Sequence, residues 1–379
     1  MYISTYEDLQ AFCDRASAYA AVAIDTEFLR ERTYHPRLCL VQAATPDECV
    51  VIDPLAIDDL GPLAAFMGNA DVLKVFHACS QDMEVLYHAL GVLPAPIFDT
   101  QVAAAFLGER MQMSYNNLVQ AFCGVALPKS ESLTDWSHRP LTGKQMEYAV
   151  DDVRYLIRAY DVIAARLAEE GRLTWVESEL APLRDLGHYV VDPRLAFKRV
   201  KRISSCTRRQ LAVARELAAW REQRASSRDI PRKWVMSDEV LMALVKRAPR
   251  DAADLKRVRG TEQLSERDVE AVLAAAARGA SCPQERLPFI GHARRAPSPE
   301  TESVCDLMFA LLRLVSERTG VATSLIASRD ELLSYIDDPA SSRLREGWRF
   351  ELVGTLLDDL LSGNMGLTVK VDTFFRFSL

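Results

Sequence analysis

The sequence predicts an α/β domain over residues 1–170, a mixed sheet flanked by helices, followed by two all-α blocks at 206–280 and 301–379. Three observations carry this. Short apolar runs of strand length crowd the first hundred residues and then cease near residue 170. Amphipathic helical stretches take over from there. The charge divides the same way: residues 1–150 hold 9 Lys/Arg against 19 Asp/Glu, whereas residues 194–259 hold 19 against 7.

The strands are read from AVAIDTEF, RLCLVQAA, CVVIDP, VLKVFHA and PIFDT, each bounded by turn residues. Hairpin-like spacing makes the first three an antiparallel meander. SQDMEVLYHAL then fits a helix opened by Ser80 as its cap, leading from the fourth strand to the fifth. Further helices are predicted near 99–107, 114–123 and 144–169, with Asp99 capping the first of them. Residues 171–205 read as a connector with the basic end DPRLAFKRVKRISS. LAVARELAAWREQRA, SDEVLMALVKRA and SERDVEAVLAAAARG supply the helices of 206–280. Residues 281–300, with four prolines, read as a linker. The last block carries SVCDLMFALLRLVSERTG, DELLSYIDD and FELVGTLLDDLLSG, with the tail KVDTFFRF packing back onto it.

At 379 residues the chain is too long for one ordinary domain. No apolar run approaches the roughly 20 residues needed to cross a bilayer, so no membrane partner is expected. The first residues lack the basic and apolar regions of a secretion signal. Eight scattered cysteines without a CxxC pair give neither a disulfide framework nor a zinc site. The expected compartment is the cytoplasm. An acidic front suits metal, and a basic middle suits a polyanion, although a charge run alone is equally the mark of a solvated helical surface.

The chemistry concentrates in four acids and a tyrosine. Asp25 and Glu27 end the first apolar run two residues apart, so on a strand they share a side. Asp82 follows HACSQ at the start of a helix. Tyr148 and Asp152, in EYAVDDVRYL, stand one helical turn apart. Clustered carboxylates repel unless a cation lies among them. Hard Mg²⁺ or Mn²⁺ suits an all-carboxylate set, where zinc would want His or Cys. Two such ions in a carboxylate cluster are the usual apparatus for cutting phosphodiesters. Asp151 stands beside Asp152, and a one-residue shift makes it the ligand; the helical spacing from Tyr148 favours Asp152.

With these residues in view the chain resembles the ribonuclease D family of the DEDD superfamily of 3′-to-5′ exonucleases, over nearly its whole length. Asp25-Thr26-Glu27 matches the first motif and Asp82 the second. Tyr148 four before Asp152 matches the tyrosine form of the third, since Glu147 stands where a histidine would otherwise be. KSESLTDWSHRPLT resembles the run before that motif. Residues 206–280 resemble the HRDC domain, and 301–379, with GWRFELVG, a second and more divergent one. The resemblance implies a ribonuclease-H-like fold for the exonuclease domain.

It also implies roles. Asp25 would touch both metals, Glu27 and Asp152 would complete one site, Asp82 would hold the second largely through water, and Tyr148 would position the attacking water. Substrate-side candidates are Phe28, His77, Gln81, Lys129, Trp136 and Arg139. Three have a plainer reading: Phe28 as core, His77 as a structural hydrogen-bonder, Trp136 as a staple for its loop. The implied activity trims tRNA precursors and other small structured RNAs from a single-stranded 3′ end, releasing nucleoside 5′-monophosphates, by a monomer using two Mg²⁺ or Mn²⁺ ions. Two alternatives stay open, a 3′-to-5′ exonuclease acting on DNA and an inactive RNA-binding module.

Overall fold

The apolar runs of the first hundred residues meet in one six-stranded sheet. This computed structural model describes residues 1–128, 134–290, 297–370 and 376–378. Across the sheet the order is β1 (Tyr2–Ile3), β4 (Cys49–Ile52), β3 (Arg37–Ala44), β2 (Ala21–Leu29), β5 (Leu73–Phe76) and β6 (Ile97–Asp99). β3 and β4 pair antiparallel, with Val41 opposite Ile52. β2 runs parallel to β5, β5 to β6 and β1 to β4, so the sheet is mixed as predicted. β1 is two residues long, too short for any periodicity to reveal it. Val22, Ala23 and Ile24 on β2 are fully buried, which explains the unbroken apolar run leading into Asp25.

The chain divides into two compact units. One comprises 1–27, 40–184 and 295–379, and the other 28–39 and 185–294.

In the first unit the helices are α1 (Tyr6–Ala16), α2 (Gly61–Gly68), α3 (Ser80–Leu90), α4 (Thr100–Ala105), α5 (Tyr115–Cys123), α6 (Gly143–Arg154), α7 (Leu156–Glu169) and α8 (Leu173–Leu180). Two expectations are corrected. Ser80 does not cap α3 but is its first residue; the cap position is Cys79, which makes no side-chain bond there. The turn before the helix is instead held by Asp99, whose carboxylate accepts the Ala78 and Cys79 N–H groups at 3.1 and 2.8 Å. The same carboxylate caps α4 through Gln101 and Val102, as the sequence predicted for Asp99. The helix predicted over 144–169 is two helices, parted at Tyr155, whose N–H is directed at the Val153 carbonyl two residues back and at the Tyr115 hydroxyl, 3.3 Å away.

In the second unit are α9 (Arg208–Arg228), α10 (Arg232–Val235), α11 (Asp238–Arg247), α12 (Ala252–Leu255) and α13 (Glu266–Ala280). Leu217, Leu241, Leu244, Leu255 and Val272 fill their core. Phe197, Val200 and Ile203, from the basic end of residues 171–205, are buried in it too. Gly279 is required where α13 crosses α9, because a Cβ there would lie 2.4 Å from the Val213 Cα. The segment after the acids of β2 is clasped by α9. The Tyr34 hydroxyl donates to Glu222 at 2.6 Å, and the Tyr34 and His35 N–H groups donate to Asp229 at 3.0 and 3.2 Å.

The last stretch, α14 (Pro299–Thr319), α15 (Thr323–Ile326), α16 (Arg329–Asp337), α17 (Gly347–Arg349) and α18 (Thr355–Ser362), belongs to the same unit as the sheet. The Ala322 N–H donates to the Ala105 carbonyl at 2.9 Å. Arg172 bridges the Phe106 and Thr319 carbonyls at 2.6 and 2.5 Å. Trp175 and Trp348 stack at 5.4 Å, with Phe106 edge-on to Trp348 at 5.0 Å. Strands β7 (Thr368–Lys370) and β8 (Arg376–Ser378) form a small antiparallel pair. The predicted packing of the tail between them, and part of the predicted linker at 281–300, lie outside the described residues.

Candidate active site

Three elements bring the acids together. β2 presents Asp25 and Glu27, both partly exposed, while Thr26 between them is buried. The first turn of α3 presents Asp82, 7% exposed. α6, held at its start by a capping box between Thr142 and Gln145, presents Tyr148 and Asp152.

Their electrostatics show that they share one space. Burial lifts Asp25 well above the ordinary carboxylate range, and repulsion from Asp82, Asp152 and Glu27 adds to it. Although part of its surface is open, dense protein around the carboxyl governs its titration. Glu27 is raised to about 8, by burial and then by Asp152 and Asp82. Asp152 is raised to about 7 by burial, against the opposing hydrogen bond from Tyr148. Asp82 is raised to about 6 by burial, restrained by the Thr26 hydroxyl that donates to it. Burial, and then Asp152, Glu27 and Asp25, push the Tyr148 phenol upward, so it stays protonated and donates to Asp152.

Asp151 faces elsewhere and pairs with Arg154 at 2.8 Å. Its neighbour Asp152 is the one whose charge reaches Asp25 and Glu27.

Among the described residues no three His, Cys, Asp or Glu side chains stand at the spacing of a completed metal cage. One Asp82 oxygen is engaged by Thr26. The case for a divalent cation is therefore one of donor chemistry. Asp82 and Asp152 raise the proton affinity of Asp25 and Glu27, a repulsion that a hard cation relieves, and no lysine or arginine is among the leading influences on any of the four. Asp25, Glu27, Asp82 and Asp152 fit such a group.

The other candidates fall in different settings. His77 bridges Thr100 and the Met113 carbonyl, each at 3.0 Å, and burial holds its pKa down. Gln81 is exposed on α3. Phe28 lies in the second unit, half-buried, with the Arg30 guanidinium 5.9 Å above its ring. Trp136 is buried at 3% exposure, 5.8 Å from the Tyr148 ring. Arg139 grips Asp53. Lys129 lies outside the described residues. Sequence reading passed over Thr26, Asp53 and Ala78. Ala78 adopts a left-handed φ of 63°, costly for a residue with a Cβ, in the turn that delivers Asp82.

Comparison with known proteins places the chain in a family. The 3′–5′ exonuclease family matches residues 1–168, and the HRDC domain family matches residues 210–275. A ribonuclease D of Jannaschia sp. (strain CCS1) is 41% identical, covering 97% of each chain. Another, from Nitrobacter hamburgensis, is 40% identical with the same coverage. The crystal structure of Escherichia coli RNase D, described as an exoribonuclease involved in structured RNA processing, superposes with a TM-score of 0.81 at 31% identity. That match covers 97% of this chain and 99% of the other. The catalytic core of RRP6 from Trypanosoma brucei, at 24% identity and a TM-score of 0.55, shares the fold over 73% of the chain. By identity and by coverage from end to end, the chain belongs to the ribonuclease D family.

Proposed function

We propose that the chain is a divalent-metal-dependent 3′-to-5′ exoribonuclease that removes nucleoside 5′-monophosphates singly from the 3′ ends of tRNA precursors and other small structured RNAs. The observation that carries this reading is the meeting of Asp25, Glu27, Asp82 and Asp152 from three elements, with Tyr148 donating to Asp152.

Asp25, Glu27, Asp82 and Asp152 would hold two Mg²⁺ or Mn²⁺ ions. Bound there, such ions supply Lewis acidity, lowering the pKa of water and stabilising the departing 3′-oxygen. The protein's own part is to pre-place charge. Thr26 holds Asp82, and the helical spacing of α6 holds Asp152 beside Tyr148. Tyr148, whose phenol is held protonated by burial and by the carboxylates around it, would position the attacking water or ease its deprotonation. The basic stretch 194–259 suits sequence-independent phosphate contacts. Within it Trp234, 51% exposed next to Lys233, suits base stacking. The second block, 301–379, is read as a divergent HRDC-like domain, the protein as a monomer, and the compartment as the cytoplasm.

The test is a time course on 5′-labelled RNA with Mg²⁺ or Mn²⁺, beside an Asp25→Asn, Glu27→Gln variant. Single-nucleotide shortening abolished by EDTA and by the variant is expected. No shortening by the wild type with either metal would sink the reading, and preference for DNA of the same sequence would move it to a DNA exonuclease.

A further inference from the structure

The sequence placed Arg139 among the substrate-side candidates. Its guanidinium, partly exposed, instead bonds protein partners through all three nitrogens. Nε and Nη2 fork onto the two oxygens of Asp53 at 2.6 and 2.7 Å. Nη1 donates to the carbonyls of Trp136 and His138 at 2.7 and 2.9 Å. Asp53 is 1% exposed and also accepts from the Tyr2 hydroxyl and, at 3.0 Å, from the Leu55 N–H. A two-pronged bond fixes direction as well as distance, and here the direction is passed to the Trp136 backbone. The Trp136 ring lies 5.8 Å from the Tyr148 ring, tilted by 38°. Tyr148 is half-buried, so the ring beside it decides which rotations are open to it.

We propose that Asp53, Arg139 and Trp136 form a strut that sets the ring of Tyr148, making Arg139 and Trp136 positioning residues rather than contacts to nucleic acid. The inference rests on the exoribonuclease reading above and assigns that site a support anchored at Asp53, just past the end of β4. A strut acts only through what it supports. Its loss lowers turnover, leaves RNA affinity alone, and matters little once the Tyr148 hydroxyl is gone.

A double-mutant cycle tests this. Trp136→Leu and Arg139→Lys are each made in the wild type and in Tyr148→Phe, with melting curves on all. Trp136→Phe is added as the conservative variant, and serves alone if Trp136→Leu does not fold. In the wild-type background we expect kcat to fall by at least about ten-fold, with KM and RNA affinity in EDTA unchanged and with Trp136→Phe recovering part of the loss. In the Tyr148→Phe background the same changes should cost no more than about two-fold. Equal losses in both backgrounds, or weakened RNA binding with raised KM, overturn the strut while leaving the nuclease reading intact. A wild type that shortens no RNA overturns both.

Discussion

The Thr26 hydroxyl donates to a carboxylate oxygen of Asp82, joining the central strand β2 to the first turn of α3 through two buried side chains. Asp82 thus carries a preset orientation that its own helix does not supply. Thr26→Val keeps the shape and removes the donor. Divalent affinity should fall by about 10- to 100-fold, the usual effect of removing a group that orients a metal-binding carboxylate, and Thr26→Ser should restore most of it. Mn²⁺ binding to the free protein, followed by electron paramagnetic resonance, reads this without any turnover. Unchanged affinity in Thr26→Val would show that Asp82 needs no such support.

The raised carboxylates make a prediction about pH. Asp25, Glu27, Asp82 and Asp152 all have folded pKa values above their ordinary ones, with Asp82 at about 6, Asp152 at about 7 and Glu27 at about 8. The folded protein therefore binds more protons than the unfolded chain between about pH 4 and 8. The stabilisation is complete below the unfolded values and is lost as pH rises through the folded ones. Metal-free protein should melt lower at pH 8.5 than at pH 5. Even two net pKa units, about 3 kcal/mol, correspond to roughly 5–10 °C in a domain of this size. Saturating Mg²⁺ should remove most of the difference. Calorimetric scans at the two pH values, in EDTA and in Mg²⁺, settle it, and a metal-free melting point that rises toward pH 8.5 would contradict the electrostatic picture.

Much of this was legible because the signals are local. Apolar runs announced β2 to β6, and two-residue and four-residue spacings put Asp25 with Glu27 and Tyr148 with Asp152. What escaped depends on partners far apart in the chain. Nothing near Ser80 reveals that Asp99 would hold the turn leading into its helix. Nothing near Tyr34 reveals Glu222, which lies 188 residues away. Arg139 misled for the same reason, since its partner Asp53 is 86 residues distant and a lone arginine beside a site motif reads as substrate-facing. Tyr155 parts a helix that propensity would have continued, at the point where its N–H also meets the Tyr115 hydroxyl, 40 residues back in the chain.

Asp99 ties two helix starts at once. Its carboxylate accepts from Ala78, Cys79, Gln101 and Val102, and so keeps Ala78 at its left-handed φ of 63°. Asp99→Ala should cost about 1–3 kcal/mol, because it leaves the buried Cys79 N–H and three partly buried ones without an acceptor. The loss should also reach Asp82 through the start of α3, lowering Mn²⁺ affinity. Ala78→Gly tolerates that φ without strain and, placed in the Asp99→Ala background, should recover part of the stability. Chemical denaturation of the three variants measures both effects. Full additivity of the two changes would show that the strained turn and the carboxylate are independent.

The last block belongs to the nuclease unit as structure. Arg349, 5% exposed, forks onto Glu179 through Nη1 and Nη2, the latter at 2.8 Å, and donates to the Ile326 and Leu325 carbonyls at 3.1 and 2.9 Å. Trp348 donates to the same Glu179 at 3.1 Å and stacks on Trp175. Burial alone would raise the Glu179 pKa, but Arg349 and Trp348 outweigh it and hold it below its ordinary value. Its contribution is therefore present above about pH 4.5 and fades as pH falls further. Removing one partner of a buried pair costs about 3–5 kcal/mol, so Arg349→Ala should melt markedly lower at pH 7 than the wild type. The gap should narrow at acid pH, where Glu179 becomes protonated. A chain cut before residue 297 would expose Phe106 and Trp175 together and should lose its cooperative melt. Loss of activity on such truncation would then report unfolding of the nuclease and not the loss of an RNA-binding module. Circular dichroism melts of Arg349→Ala and of the truncated chain decide the matter, and a truncated protein that melts cooperatively at the wild-type temperature would show that the block is an accessory.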